Sequence, residues 1–369
     1  MIKIYKNGFD YKIHKNVNRI KISNFKDLKK KLIQKNIEVF VYQSYNIYEI
    51  KILNKLKNVK TIFYNHSSFL FWIYFNKISF LKKLYNSYKK SKYVISLIPF
   101  ENDYLFKKWR INSILMNNFI TYKYDDIIPS NLSSKIIIMI GRANDKLKRF
   151  NLGIKAMKYI VKEIPDCKMK IISSLQGIKY LKNLIDKLNL KNNIKFEGFT
   201  LNPEIFYNNA SLHIFPSLIE SFGMVLSETK IFGIPNIICG IDYVSTGKDG
   251  VININDDNPK NIANESIKIL KNDKYRKKLG NLARKSMKKF KNELTLRKWI
   301  DLILAVYKGQ YYYNKLREEN RKISEKEAIN QLKNQLKLIK MRKSEMQDIS
   351  LKDLENFNFV DKYLKFRKK

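Results

Sequence analysis

The chain has 369 residues, enough for two domains, and a hydrophobic fraction of 44% that supports a sizeable core. Its net charge of +40 spreads a positive field over the surface, which suits nucleic acid, an anionic membrane or phosphorylated substrates. Two cysteines without metal spacing exclude a secreted disulfide framework, and no run reaches the roughly 18–20 apolar residues of a membrane-spanning helix. Charges interrupt every apolar run near the N-terminus, so no signal peptide and a cytoplasmic location are expected. Lys, Ile and Asn are over-used while Gly and Pro are few. That bias inflates the charge without reference to function.

Three strands are predicted in the first 130 residues: NIEVFVYQ (36–43), NVKTIFYNH (58–66) and KYVISLIP (92–99), with helical periods between them. The stretch from Ser67 to Lys90 mixes aromatics with lysines. It reads as a helix packed on the N-terminal sheet, or as a segment lying on an anionic membrane. Pro129 and SNLSS (130–134) form a linker. From Lys135 the alternation is regular. KIIIMIG (135–141) precedes a helix over 151–163, KMKIIS (168–173) a helix near 178–189, and NIKFEG (193–198) a short helix near 203–209. SLHIFP (211–216) precedes a helix over 223–232, followed by PNIICG (235–240) and GVININ (250–255). Apolar strands alternating with amphipathic helices predict a parallel, doubly wound α/β sheet. Helices continue to about residue 308, and 312–369 reads as one or two exposed helices with a charged tail. The expected domains are therefore 1–130, 131–290 and 291–369, the first two being Rossmann-like halves that face a cleft.

Open α/β sheets bind ligands beyond the carboxyl ends of their strands, so polar residues at those ends are the candidates. Gly141-Arg142 follows KIIIMI, and Lys148-Arg149 comes a few residues later. Two such cations can converge on a diphosphate, although a chain with 73 Lys and Arg offers cations in most loops. Glu220-Ser-Phe-Gly-Met-Val-Leu-Ser-Glu228 follows LHIFP and runs into a helix. The free N–H groups at its start favour a phosphate, and Gly223 permits close approach. Two carboxylates at this spacing, roughly 8–12 Å apart, can hold the two ends of a sugar nucleotide, or can be solvated helix glutamates. His66 ends a strong strand, a position for polarising an acceptor or for a structural histidine. Cys167 and Cys239 read as buried small hydrophobes. Asp256-Asp257 reads as a surface turn, and no metal site is expected.

Together these segments resemble the retaining GT-B glycosyltransferases of glycosyltransferase family 4. Glu220 and Glu228 match its E-x7-E signature, GRANDKLKRF resembles its G-R-x(n)-K donor segment, and IKFEGFTLNPEIFYNNASLHIFPSLIESFG follows its order of strand, short helix and acidic loop. The resemblance covers about 135–310. It implies that Arg142 and Lys148 hold the donor diphosphate, with Gly141 at the strand end beside them. Glu220 and His66 are then the catalytic pair at the sugar, Glu228 binds the ribose, and Phe222, Gly223, Met224 and Val225 offer backbone contacts. It further implies transfer of a sugar from a nucleotide diphosphate sugar to an acceptor hydroxyl, with retention. If the 67–90 stretch lies on a membrane, the expected acceptor is a surface glycan or lipid-linked saccharide, and with no D-x-D at a strand end no metal or other cofactor is expected. Asn118 resembles a turn before the linker and takes a structural role. The family's N-terminal Gly-rich loop is not matched, since only Gly8 lies there. A protein that binds the nucleotide sugar without turnover is therefore the alternative. Nucleic acid is not an expected partner, because no helix-turn-helix or RNA-binding signature accompanies the charge.

Overall fold

The computed structural model describes residues 2–5, 18–43, 59–75, 78–312 and 323–341. The larger sheet has six parallel strands: β7 (Ile136–Ile140), β8 (Lys168–Ile172), β9 (Ile194–Gly198), β10 (Leu212–Phe215), β11 (Asn236–Ile238) and β12 (Val251–Asn253). Their spatial order is β12-β11-β10-β7-β8-β9. Two windings leave in opposite directions from the β7–β10 neighbours, which places a topological switch point between the ends of those strands. β7 and β10 are buried on both faces, as the unbroken apolar run of β7 requires, while β10 carries the buried His213 within its apolar run. Helices cover both sides, and sequence-local signals start several of them. Asn258 caps Pro259–Lys271 through its side chain, with Pro at the first turn, and Asn272 caps Asp273–Ser286.

The N-terminal sheet places β3 (Val39–Tyr42), β4 (Lys60–Tyr64), β5 (Tyr93–Ser96) and β6 (Ser113–Leu115) side by side in chain order, all parallel. It winds one way, so its described strands hold no switch point. β1 (Ile2–Tyr5) and β2 (Asn18–Lys21) form a separate parallel pair. One face of the four-stranded sheet buries Phe69, Trp72, Leu84, Tyr88 and Trp109. Phe69, Trp72, Phe80, Tyr85 and Tyr88 of the 67–90 stretch are thus core, carried on the helices Phe69–Phe75 and Ile78–Lys90. Those five rings are not available to a lipid surface, whereas Lys83, Lys89 and Lys90 are exposed.

The helices expected up to about residue 308 are present, and within 312–369 the described helix Glu325–Met341 is partly buried, in contrast to the exposed helices expected there. The helix Asn292–Lys308 returns to the N-terminal sheet and buries Trp299, Leu302 and Val306 against Tyr64, Tyr93 and Ile95. Packed on the helices Pro99–Lys107 and Phe69–Phe75, the helix Glu325–Met341 buries Leu332, Leu336 and Ile339 in the aromatic core on the other side of that sheet. With Ala328 they make a narrow stripe at helical spacing, which a Lys/Glu-rich composition conceals. The linker is fixed where it crosses: Ser130 N–H donates to the Phe232 carbonyl at 2.8 Å, and the Arg284 guanidinium donates to the Ile127 carbonyl at 2.7 Å.

Candidate functional site

The chain leaves β7 at Ile140 and β10 at Phe215, and the loops that follow enclose a pocket of about 300 Å³ at the switch point. Lys148 enters it from the short turn Lys146–Lys148, which Asp145 caps by accepting the Leu147 N–H at 3.0 Å. The two loops are joined where Leu218 N–H donates to the Leu147 carbonyl at 2.8 Å. This connection brings the Lys148 ammonium onto the Glu220 carboxylate, both side chains largely buried, with the ammonium also 5.5 Å from the Phe215 ring centroid. Tyr243 holds the main chain of Glu220. Its hydroxyl accepts the Glu220 N–H at 3.0 Å and lies 3.2 Å from the Glu220 carbonyl.

Phe222, Gly223, Met224 and Val225 form the adjoining wall. Gly223 has φ +73°, and a Cβ there would stand 3.3 Å from the Leu226 Cβ, so glycine meets both the conformational and the steric demand. It begins the helix Met224–Ile231 with no side-chain cap, leaving the positive end of the helix toward the pocket. Thr246 donates to the Phe222 carbonyl at 2.6 Å, and the buried Lys230 ammonium donates to the Thr246 carbonyl at 2.7 Å. Burial pushes the pKa of Lys230 down to about 7.

The opposite wall comes from the N-terminal half. His66 follows β4, its ring 3.9 Å from that of Tyr64, and burial holds its pKa below the usual histidine value, favouring the neutral imidazole. Its carbonyl accepts the Ser221 hydroxyl at 2.7 Å, a tie across the cleft. Asn118 also lines the pocket, accepting the Tyr64 hydroxyl and standing 3.7 Å from the Met224 sulfur.

Eight of the ten predicted site residues therefore meet in one pocket: His66, Gly141, Lys148, Glu220, Phe222, Gly223, Met224 and Val225. Two stand outside its lining. Arg142 is 77% exposed and pairs with Asp145 at 3.0 Å, because the turn that delivers Lys148 also sets Asp145 beside it. Glu228 is buried against the linker, its oxygens accepting the Thr121 hydroxyl at 2.6 Å and the Tyr207 hydroxyl at 2.7 Å. Burial raises its pKa. Asp257 is not a plain surface turn either, since it pairs with the buried Arg149 guanidinium, whose Nε donates to the Pro216 carbonyl at 2.6 Å. Gly8 lies outside the described residues. Asn118 has a place in the pocket beyond its expected structural role. Ser221 and Tyr243 had no sequence signal of their own, because each makes its contact through a partner distant in the chain.

The family model of glycosyl transferases group 1 matches residues 122–286, the segment that carries the six-stranded sheet and most of the pocket. The chain is 28% identical over 182 residues to a poly(glycerol-phosphate) alpha-glucosyltransferase of Bacillus subtilis, covering 48% of this chain and 25% of that protein. It is 27% identical over 219 residues to the capsular polysaccharide biosynthesis glycosyltransferase CapM of Staphylococcus aureus, covering 57% and 54%. The chain thus spans between a quarter and about half the length of these relatives. Among solved structures, a glycosyltransferase of Rickettsia africae superposes with a TM-score of 0.64 at 18% identity, over 79% of this chain and 85% of that one. A TarM variant of S. aureus, in complex with Fondaparinux, alpha-GlcNAc-glycerol and UDP, superposes with 0.61 at 20% identity, over 76% and 58%. HepE of Anabaena, in complex with UDP and glucose, superposes with 0.64 at 13% identity, over 78% and 86%. The fold is GT-B, and the resemblance read from the donor motifs is a family match over residues 122–286.

Proposed function

We propose that this protein is a retaining glycosyltransferase that moves a hexose-type sugar from a nucleotide diphosphate sugar to a hydroxyl of a surface glycan or a lipid-linked saccharide. The observation that carries the reading is the meeting of Lys148, Glu220 and the uncapped start of the helix Met224–Ile231 in one pocket at the switch point. In the reaction, the bond from the anomeric carbon to the diphosphate oxygen breaks with its electron pair going to the diphosphate. The acceptor oxygen bonds to the anomeric carbon, and its proton passes to the leaving phosphate. Lys148 and the helix start oppose the charge that grows on the diphosphate, where fixed electrostatics act most strongly. On donor binding, Lys148 exchanges Glu220 for phosphate, and Glu220 turns to accept hydrogen bonds from sugar hydroxyls. His66, neutral and on the facing wall, bonds the sugar from the acceptor side. Arg142 reaches the diphosphate only by leaving Asp145, and Glu228 reaches the ribose only by leaving Thr121 and Tyr207.

Uridine is the favoured base, supported by the UDP bound in two of the superposed structures. Positive charge from Lys148 and the helix start takes the place of a divalent cation in this reading, so turnover is expected to survive chelation by EDTA. The direct experiment is a thermal-shift and hydrolysis screen with UDP-, GDP-, ADP- and CMP-sugars. Stabilisation by a UDP-sugar is expected, with slow hydrolysis that Glu220→Ala abolishes. A chain that no nucleotide sugar stabilises overturns the reading. Stabilisation without turnover on any acceptor selects a nucleotide-sugar-binding protein instead.

A further inference from the structure

The helix Asn292–Lys308 carries two apolar faces. Thr295, Trp299, Leu302 and Val306 are buried against the N-terminal sheet, and this stripe is all that a surface helix needs. Beside it Leu296, Ile300, Ile303, Leu304 and Tyr307 recur at helical spacing and are 37–51% exposed. Together they present on the order of a few hundred Å² of apolar surface, the scale at which a patch marks a contact surface.

The surroundings of this second stripe are basic. Between Lys288 and Lys308 the chain carries six Lys or Arg and only two acids, Glu293 and Asp301. Arg297 and Lys308 are exposed at the stripe's margin, and Lys288 and Lys289 are exposed just before the helix. An apolar stripe edged with cations, in a chain of net charge +40, complements an anionic lipid surface. The same charge opposes pairing with a second copy.

The stripe also lies close to the cleft. The Asn292 side chain accepts the Ile120 N–H at 2.7 Å and donates to the Ile120 carbonyl at 2.8 Å, two residues from pocket-lining Asn118. On the buried face, the Trp299 ring meets Tyr64 at 5.1 Å, and Tyr64 in turn meets His66. The helix therefore backs the acceptor wall of the pocket.

We propose that the helix Asn292–Lys308 lies flat on an anionic membrane through Leu296, Ile300, Ile303, Leu304 and Tyr307. It would hold the acceptor side of the cleft next to a lipid-borne acceptor. The docking surface stands on these contacts alone, and the acceptor it selects rests on the transferase reading. The test is co-sedimentation of the full chain with vesicles of phosphatidylglycerol and phosphatidylcholine, against vesicles of phosphatidylcholine only. The variant is Ile300→Gln with Leu304→Gln and Tyr307→Gln, which leaves the charge unchanged. Wild type is expected to partition at least tenfold more strongly onto the anionic vesicles, and the triple variant to lose about tenfold of that binding while keeping its UDP-sugar thermal shift. If the triple variant does not fold, Ile300→Gln alone is expected to lose about threefold. Equal binding by variant and wild type overturns the proposal. So does a wild type that ignores anionic vesicles, or a dimer in solution that the variant splits while neither form binds lipid. Vesicle binding that persists in a chain no donor stabilises keeps the surface and removes the transferase, so the two readings fail separately.

Discussion

The two sheets keep their ionisable groups in different places. The six-stranded sheet turns Lys148 and Glu220 to a pocket at its carboxyl edge, and Arg149, His213, Glu228, Lys230 and Arg276, buried around it, are each held by hydrogen bonds. The four-stranded sheet instead buries Glu101, Asn102 and Asp103 on the helix Pro99–Lys107. Glu101 accepts the Ser68 hydroxyl at 2.5 Å and the Leu70 N–H at 3.0 Å, fixing the start of the helix that follows His66. The C-terminal half thus sets an ion pair in a pocket, and the N-terminal half uses a buried acid to hold a loop in position. The C-terminal half is consequently dense in motif, while the N-terminal half is organised by contacts that leave no motif.

The largest effect expected from breaking this division lies at the pocket. Lys148→Ala or Glu220→Ala should lower turnover by about 100- to 1,000-fold, the usual size for a lost charge-stabilising group. Circular dichroism and melting temperature should change little, and near-normal turnover in a folded Lys148→Ala protein would count against the assignment.

Next comes pH, to which the halves respond in opposite senses. Burial raises the pKa of Glu101 to about 7. The unfolded carboxyl ionises near its ordinary value, so the folded state is favoured at low pH and loses that advantage as pH rises from about 4.5 to 7. His213 is buried with its pKa pushed down to about 4, its Nδ1 2.7 Å from Asn236 Oδ1. Its unfolded imidazole takes a proton first, so stability is lost as pH falls from about 6.5 to 4. Each trend amounts to about 3 kcal/mol over its window. In denaturant titrations across that range, Glu101→Gln should steepen the rise of stability with pH, and His213→Gln should uncover a fall. Parallel profiles for wild type and Glu101→Gln would remove the buried acid from the account.

Contacts that join the halves should matter less. Thr121→Val takes one donor from Glu228 and, by releasing it toward the ribose, should lower the donor KM several-fold with little change in kcat, as initial-rate kinetics would show. Ser221→Ala removes the tie to the His66 carbonyl and should destabilise by about 1 kcal/mol, read by urea unfolding.

The order of strands and helices from Lys135 to Lys308 was legible in the sequence because parallel strands buried on both faces need unbroken apolar runs. Lys148, Glu220 and Gly223 were legible because strand ends and a helix start fix their positions locally. Arg142 and Glu228 were identified as donor ligands by the same motifs, yet their side chains turn to Asp145 and to Thr121 and Tyr207. Sequence spacing fixes where a Cα lies along an element, whereas the rotamer answers to neighbours from elsewhere in the chain. The C-terminal helices show the same division on a larger scale. Periodicity announced them, but only packing decided that Trp299 covers one face of the N-terminal sheet while Leu332 joins the helix layer on the other. The sequence by itself determined the elements and which residue types stand at the carboxyl edge of the larger sheet, since both depend on local backbone geometry. Tertiary structure alone decided which groups share the pocket and which apolar stripe stays open to solvent, because burial belongs to the assembled chain.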